Sequence, residues 1–295
     1  MKYSIGVDIG GTKVLSALMD DTDKVHETVE IPSDIKTEET LFQSVTSSVN
    51  MLLEKSGKIS GEIAGIGVGV PGFVDTDKGV AVYQSNIPWE NFNVSERLSE
   101  VFKVSEIKVD NDVAMAGYHA FKTVGNPGET VIYITVSTGM ACAVIHDGIR
   151  LSGHGFSGEL GHVIVEWDGE HRRLEHIVSG TGIGRLGREI YGDDTLKAED
   201  VFKKYDNGDP EALKIIETTA ELFAKNIYTL IALMDPHKIV FGGSVMVYQP
   251  AYLEMIKEKM TPFMLQGHMH ILDNMTVTEG EGIQGAAGAA MSIFK

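Results

Sequence analysis

Residues 6–13 read G-V-D-I-G-G-T-K. An apolar run from Ile5 to Val7 ends in the acid Asp8, turns at Gly10 and Gly11, and passes directly into a second apolar run from Val14 to Met19. The pattern predicts a β-hairpin with a carboxylate at its mouth. Two adjacent glycines let the backbone adopt positive φ and approach a ligand closely, so successive amide N–H groups can face one anion. Phosphate is the candidate anion, with a divalent cation between it and Asp8 to offset the like charges. An ordinary tight turn accounts for the same eight residues equally well, so the reading depends on what the rest of the chain supplies.

Working outward, Lys24 to Ile31 predicts a third antiparallel strand, entered through the turn-rich Asp20-Asp21-Thr22-Asp23. Thr37 caps a helix with Glu38 and Glu39 in its first turn, carrying Leu41, Phe42, Val45, Val49, Leu52 and Leu53 at helical spacing and stopped by Gly57. Ile63 to Val70, I-A-G-I-G-V-G-V, reads as a buried strand whose glycines imply close backbone approach by a neighbour or ligand. Strands are also expected at Val80 to Gln84 and Ile107 to Val109, with a short helix over Ser95 to Phe102 capped by Asn93. Asp110-Asn111-Asp112 then closes a strand and opens a helix through Ala114 to Val124, which is where α/β sheets place their ligands. Capping explains one of these three polar residues, not all.

The opening theme returns at Val131 to Ile145, where Ser137-Thr138-Gly139 joins two apolar strands. Aligned on the glycine turn, V-S-T-G-M-A-C-A at 136–143 resembles V-D-I-G-G-T-K-V at 7–14, a repeat some 129 positions apart that implies two similar halves. Two glycine hairpins can hold one polyphosphate between domains. The loop Gly153 to His162 is glycine-dense and carries Glu159 and His162, and G-T-G-I-G at 180–184 reads as a structural helix start. A long amphipathic helix is expected at Pro210 to Met234, a buried strand at Lys238 to Phe241 before Gly242-Gly243-Ser244, a helix at Pro250 to Met260, a strand at Thr276 to Thr278, and a small-residue helix at Gln284 to Ile293.

Bulk properties narrow the function. A length of 295 residues suggests two domains. The net charge of −17 removes any general attraction for nucleic acid or an anionic membrane, so an anionic ligand must be held locally. No apolar run approaches membrane-spanning length, and the N-terminus lacks the apolar core of a signal peptide, giving a cytoplasmic expectation. The single cysteine, Cys142, excludes an internal disulfide and a multi-cysteine metal site.

D-I-G-G-T-K, the strand-end N-D, the second glycine hairpin, G-E-L-G-H, F-G-G-S and G-I-Q-G-A-A occur here in one order. In that ordered set the chain resembles the ROK family of sugar kinases and sugar-responsive repressors along nearly its whole length. The resemblance implies an α/β, two-domain actin-like (RNase H-like) ATPase fold of hexokinase/ROK type with a cleft between domains. The smaller N-terminal domain is expected to span 1–115 plus about 280–295 and the larger C-terminal domain 116–279. Asp8, Gly10, Gly11 and Thr12 match the first phosphate motif, with Asp8 near Mg²⁺ through water. Gly139 matches the second phosphate motif, and Gly242 with Gly243 the adenosine motif. Asp112 matches the catalytic acid and Asn111 the sugar-binding asparagine. Glu159, His162 and Glu175 match residues that hold sugar hydroxyls, and Gly72 and Asn86 lie in stretches resembling the sugar-cleft loops.

The resemblance thus implies ATP and Mg²⁺, a hexose substrate phosphorylated at its 6-hydroxyl with Asp112 as base, and a homodimer. Two departures stand out. The family's zinc-binding C-x-C-G-x-x-G-C-x-E run is absent, since Val163 to Leu174 holds no cysteine, so zinc is not expected and His162 and Glu175 need another support. The usual G-T-G-x-G is S-T-G-M-A at 137–141. No winged-helix segment precedes Met1, as the repressor branch would need. The alternative expectation is a catalytically impaired sugar sensor; a more distant one, an actin-like ATPase acting on another substrate, has no use for Asn111, Glu159 and His162 together.

Overall fold

The computed structural model describes residues 1–84, 86–278 and 282–294. In chain order the strands and helices are β1 (Tyr3–Ile9), β2 (Lys13–Asp20), β3 (Val25–Pro32), α1 (Glu38–Ser56), β4 (Ile63–Val70), β5 (Phe73–Asp75), β6 (Val80–Tyr83), β7 (Phe92–Asn93), α2 (Val94–Phe102), β8 (Ile107–Asn111) and α3 (Asp112–Val124). There follow β9 (Thr130–Val136), β10 (Met140–His146), β11 (Ile149–Arg150), β12 (Ile164–Trp167), β13 (Glu170–Arg173), α4 (Glu175–Val178), α5 (Gly180–Tyr191), α6 (Ala198–Asp206) and α7 (Pro210–Met234). The chain ends with β14 (Lys238–Gly242), α8 (Ser244–Tyr248), α9 (Pro250–Met260), β15 (Met275–Val277) and α10 (Gln284–Ser292).

These elements form two compact units. Met1–Asn126, Gly148–Ser157 and the segment carrying α10 make the first; Pro127–Asp147 and the chain from Gly158 through β15 make the second. The expected domain boundary near residue 280 lies outside the described residues.

In the first unit the strands run β3-β2-β1-β4-β8, with β1 antiparallel to β2 and parallel to β4. In the second, β10, β9, β14 and β15 lie in the same relation: a hairpin followed by two parallel strands. The internal repeat read from the glycine turns is thus a repeat of sheet topology.

Strand alternation explains how the first sheet is covered. Ile66, Val68 and Val70 of β4 enter a core with Val45, Val49 and Leu52 of α1. Gly65, Gly67 and Gly69 face the other way, where a Cβ on Gly67 would overlap the Ala289 carbonyl of α10. Its register partner Gly6 meets the Ala286 carbonyl in the same manner. The glycines therefore admit a helix to the sheet at backbone distance, the close approach their spacing predicts. α1 is closed as expected, by the Thr37 side chain accepting from Thr40 N–H and by Gly57 in the left-handed region at φ 68°.

The turn after β2 is organised by Asp20, whose carboxylate accepts from Thr22 N–H (2.8 Å), Thr22 Oγ1 (2.6 Å) and Lys24 N–H (3.3 Å) and pairs with His26 Nε2 at 2.6 Å. The Thr22 and His26 side chains, in that order, hold its carboxyl well below the usual range. A depressed carboxyl stabilises the fold above its unfolded pKa of about 4 and loses that contribution as the pH falls further. Asp20→Asn should therefore be less stable than wild type at pH 7, with the difference in urea midpoint shrinking below about pH 4. A difference that stays constant down to pH 2.5 or so would exclude Asp20 as an acid-sensitive brace.

Candidate functional site

The expected site residues divide between the two units. In the first, Asp8 lies one residue before the end of β1, paired across the sheet with Gly69, which in turn pairs with Asp110. Carboxylates thus stand at the carboxyl ends of β1 and β8, with Gly69 of β4 between them. A Cβ built on Gly69 would lie 3.2 Å from Asp112 Cα and 3.5 Å from Asp8 Oδ1. Gly69 is therefore the gap across which the two acids face one another. Burial first and then the Asp112 carboxylate push the Asp8 pKa up to about 7, with Lys13 working in the opposite direction.

The turn beside Asp8 is closed by Gly10 N–H donating to the Lys13 carbonyl (2.9 Å) and buttressed by Ser33, whose hydroxyl donates to the Gly10 carbonyl (2.7 Å) and whose N–H donates to the Thr12 carbonyl (3.0 Å). Neither Gly10 nor Gly11 takes positive φ, which corrects the conformational reason expected for this pair. Proximity favours glycine at 11, because the Asn86 carbonyl stands 3.0 Å from where its Cβ would be, closer than an unshifted side chain would sit. The loop bearing Asn86 is anchored by Trp89, which is buried, stacks on Phe92 at 4.4 Å and donates to the Glu38 carbonyl. From α10, Gly285 abuts the Asp8 carboxyl, with 2.6 Å from its ideal Cβ to Asp8 Cγ.

Asn111 is the N-cap of α3: its Oδ1 accepts from Val113 N–H (3.0 Å) and Ala114 N–H (3.2 Å), and its Nδ2 donates to the Gly72 carbonyl (3.1 Å). Asp112 follows as the first helical residue, its Oδ1 accepting from Val113 N–H at 2.9 Å. Gly72 holds φ 83°, and a side chain there would strike Tyr83 and Gln84. Asp8, Gly10, Gly11, Gly72, Asn86, Asn111 and Asp112 are thus joined by contacts within one unit.

In the second unit Ser137 N–H donates to the Gly139 carbonyl (2.9 Å), and the Ser137 carbonyl accepts from Gly180 N–H (2.7 Å). The Met140 side chain is buried in the core, so the departure from G-T-G-x-G leaves the turn closed. Gly139 lies against Glu175, with 3.5 Å from its ideal Cβ to Oε2. His162 Nε2 is 3.7 Å from Glu175 Oε1 and 3.9 Å from Glu159 Oε2, so these three expected residues do converge. Cys142 is buried, and burial pushes its thiol up to about 12, which makes it a packing residue rather than a nucleophile.

The cysteine-free run Val163 to Leu174 is a hairpin of β12 and β13 paired from Ile164 with Arg173 to Trp167 with Glu170. Asp168 (φ 51°) and Gly169 (φ 75°) turn it, and Leu174 N–H closes its base on the Val163 carbonyl at 2.8 Å. Buried Leu174 and Val165 root it in the core. This ladder stands where the family's zinc run would be, and it fixes the chain between His162 and Glu175. The Asp-Gly pair flanked by V-I-V-E-W was the sequence signal for it.

Gly242 ends β14 and Gly243 is the N-cap of α8. A Cβ on Gly242 would strike the Tyr133 hydroxyl, and Gly243 (φ 81°) lies against the Val136 carbonyl. Just beyond them opens a cavity of about 580 Å³ lined by Ser137, Thr138, Thr181, Lys197, Ser244 and Tyr248 among others, a volume in the usual range for a small-molecule site. Gly180 begins α5, capped by Ser179 onto Gly182 N–H, and also lines this cavity. The sequence reading found the helix start and missed the lining.

Asp8 and Asp112 offer hard oxygen donors from two directions, and a carboxyl raised by burial and a like charge is one that a cation restores to its charged form. Among the described residues no cluster of three or more His, Cys, Asp or Glu could hold a metal by itself. That donor set fits Mg²⁺, which takes one or two carboxylates and completes its shell with phosphates and water.

The chain matches the profile of the ROK family over residues 4–294. It is similar to a glucokinase of Halalkalibacterium halodurans, 29% identical over 287 residues that cover 90% of this chain and 87% of the relative. Among solved structures it is similar to the ROK hexokinase of Thermus thermophilus, with a TM-score of 0.85 at 24% identity, covering 98% of this chain and 97% of that one. A ROK family glucokinase from Streptomyces griseus, solved in complex with glucose and AMPPNP, superposes with a TM-score of 0.79 at 22% identity, covering 98% of each chain. These likenesses carry the fold, the two-domain actin-like α/β architecture of the hexokinase type.

Proposed function

The chain belongs to the ROK family, and on that premise we propose that it transfers the γ-phosphoryl group of ATP to a hexose, at the 6-hydroxyl. The observation that carries the reading is the pair Asp8 and Asp112, set on either side of Gly69 at the end of β1 and the start of α3, next to the glycine turn. The glucokinase relative and the neighbour holding glucose and AMPPNP support both substrates.

Phosphoryl transfer asks little covalent chemistry of a protein; it needs alignment, charge neutralisation and a base. Asp112 serves as the base. Its carboxylate takes the proton of the sugar hydroxyl as that oxygen bonds to the γ-phosphorus and the bond to the β-phosphate oxygen breaks, giving the sugar phosphate and ADP. The Val113 N–H bond to Oδ1 orients that carboxylate. Mg²⁺, when bound near Asp8, supplies neutralisation of the phosphate charge. Backbone N–H groups at Gly11, Thr12 and Gly139 cradle phosphates, with Gly10 closing the turn that presents the first two; Gly242 and Gly243 border the nucleoside, and Asn111, Gly72, Asn86, Glu159, His162 and Glu175 contact hexose hydroxyls. Acceptors and donors of that kind distinguish sugar epimers, because an unmatched hydroxyl leaves a buried partner unsatisfied.

The test is a coupled ADP assay with ATP and Mg²⁺ across glucose, N-acetylglucosamine, N-acetylmannosamine, allose and a β-glucoside, with the product's phosphate position read by NMR. At least one hexose should raise ADP release about a hundredfold or more over the sugar-free rate. Hexose binding by calorimetry with no accompanying ADP release would instead identify a sensor.

A further inference from the structure

We infer that Arg150 is a positioning residue for the phosphoryl-transfer turn, acting through Asp110 on the backbone of Asn111. The inference rests on the kinase reading above. Arg150 lies in Gly148–Ser157, a segment that packs with the first unit although the chain on both sides of it builds the second. Its side chain is 10% exposed and that of Asp110 12%. Arg150 Nη1 donates to Asp110 Oδ1, and the same oxygen accepts the Asn111 N–H at 2.7 Å. Asn111 then caps α3 and holds the Gly72 carbonyl, and Asp112 is the next residue. One carboxylate oxygen therefore links a buried guanidinium to the residue that sets the direction of the candidate base.

Stability is a poor reason for such a pair, since desolvation offsets much of the attraction between two buried charges. Geometry is a better one. The pair borders a cavity of about 320 Å³ that is also lined by Lys108, Met115 and Tyr118. With the guanidinium in place, Oδ1 is held toward Asn111. With it removed, the carboxylate has space and water to turn toward, and the Asn111 N–H loses its acceptor. A displacement of about 1 Å at a catalytic turn is enough to slow a reaction by one to two orders of magnitude.

Arg150→Met and the double variant Arg150→Met/Asp110→Asn test this, after their urea midpoints are recorded. The single variant should lose about tenfold or more in kcat while KM for ATP stays within about threefold, because the nucleotide contacts lie elsewhere. Amide exchange at Asn111 should quicken about tenfold or more in the single variant, beyond any change at Leu41 or Val45 in the same unit. The double variant, with no buried charge and an amide oxygen still facing Asn111, should recover kcat to within about threefold of wild type. It also remains readable if the single variant does not fold. Unchanged kcat with unchanged Asn111 exchange in Arg150→Met overturns the inference, as does a double variant slowed about tenfold. Should wild type turn over no hexose, the kinase reading fails, and the exchange measurement still decides whether Arg150 acts on Asn111.

Discussion

Replacing Asp112 by asparagine is expected to lower kcat for hexose phosphorylation by about three orders of magnitude, within the range that a positioned general base contributes, while hexose affinity stays within about tenfold. The amide is nearly isosteric and keeps the oxygen that accepts from Val113 N–H at 2.9 Å, so the start of α3 retains its geometry. Asn111 caps the helix through its own side chain, and the sugar contacts proposed for it do not depend on the charge next door. What the substitution removes is a basic oxygen at the place where the sugar hydroxyl must lose its proton. Calorimetry with the hexose and single-turnover ADP release separate the two quantities. Undiminished turnover would move the base elsewhere, and Asp8 would be the next acid to examine. A loss of hexose affinity as deep as the loss of kcat would make Asp112 a binding residue instead.

Much of this arrangement is legible in the chain because it is local. The hairpin around Gly10 and Gly11, the caps of α1, the long α7 and the small-residue α10 follow from turn residues and periodicity within a few positions, and all appear in the structure. Ordered motifs carried the family resemblance, and the family profile spans residues 4–294. What stayed hidden is non-local. Gly69 reads as one of three glycines in a strand, and its place between Asp8 and Asp112 emerges only when β1, β4 and α3 are assembled. Gly285 reads as part of a packing helix, yet it sets how closely α10 approaches Asp8. Arg150 follows a hairpin in sequence and finds its partner forty positions upstream. The β12–β13 hairpin is by contrast local, carried by the Asp168-Gly169 turn between two short apolar and polar runs, and the lack of cysteines in Val163 to Leu174 says nothing of that pairing.

Gly288→Ala is expected to cost about 3 kcal/mol or more of unfolding free energy, at the upper end for overpacking a close-packed site. A Cβ at this position would overlap the Met115 carbonyl oxygen of α3 and stand 3.2 Å from the His119 nitrogen. Both are backbone atoms held in a helix, so no rotamer change relieves the clash and the two helices must separate. Propensity works the other way, since alanine favours a helix by about 1 kcal/mol over glycine, so the net loss understates the clash by about that amount. Gly61→Ala is the matched control in the same unit, with no atom within 4 Å of its Cβ and no positive φ, and should shift stability by less than about 1 kcal/mol. Separation of α10 from α3 also carries Gly285 away from Asp8 and tilts the helix that begins at Asp112, so residual folded Gly288→Ala should have lower kcat at temperatures well below its midpoint. A Gly288→Ala protein as stable as the Gly61→Ala control would show that α3 and α10 have slack between them, and the close crossing could then not be what holds the two acids in register.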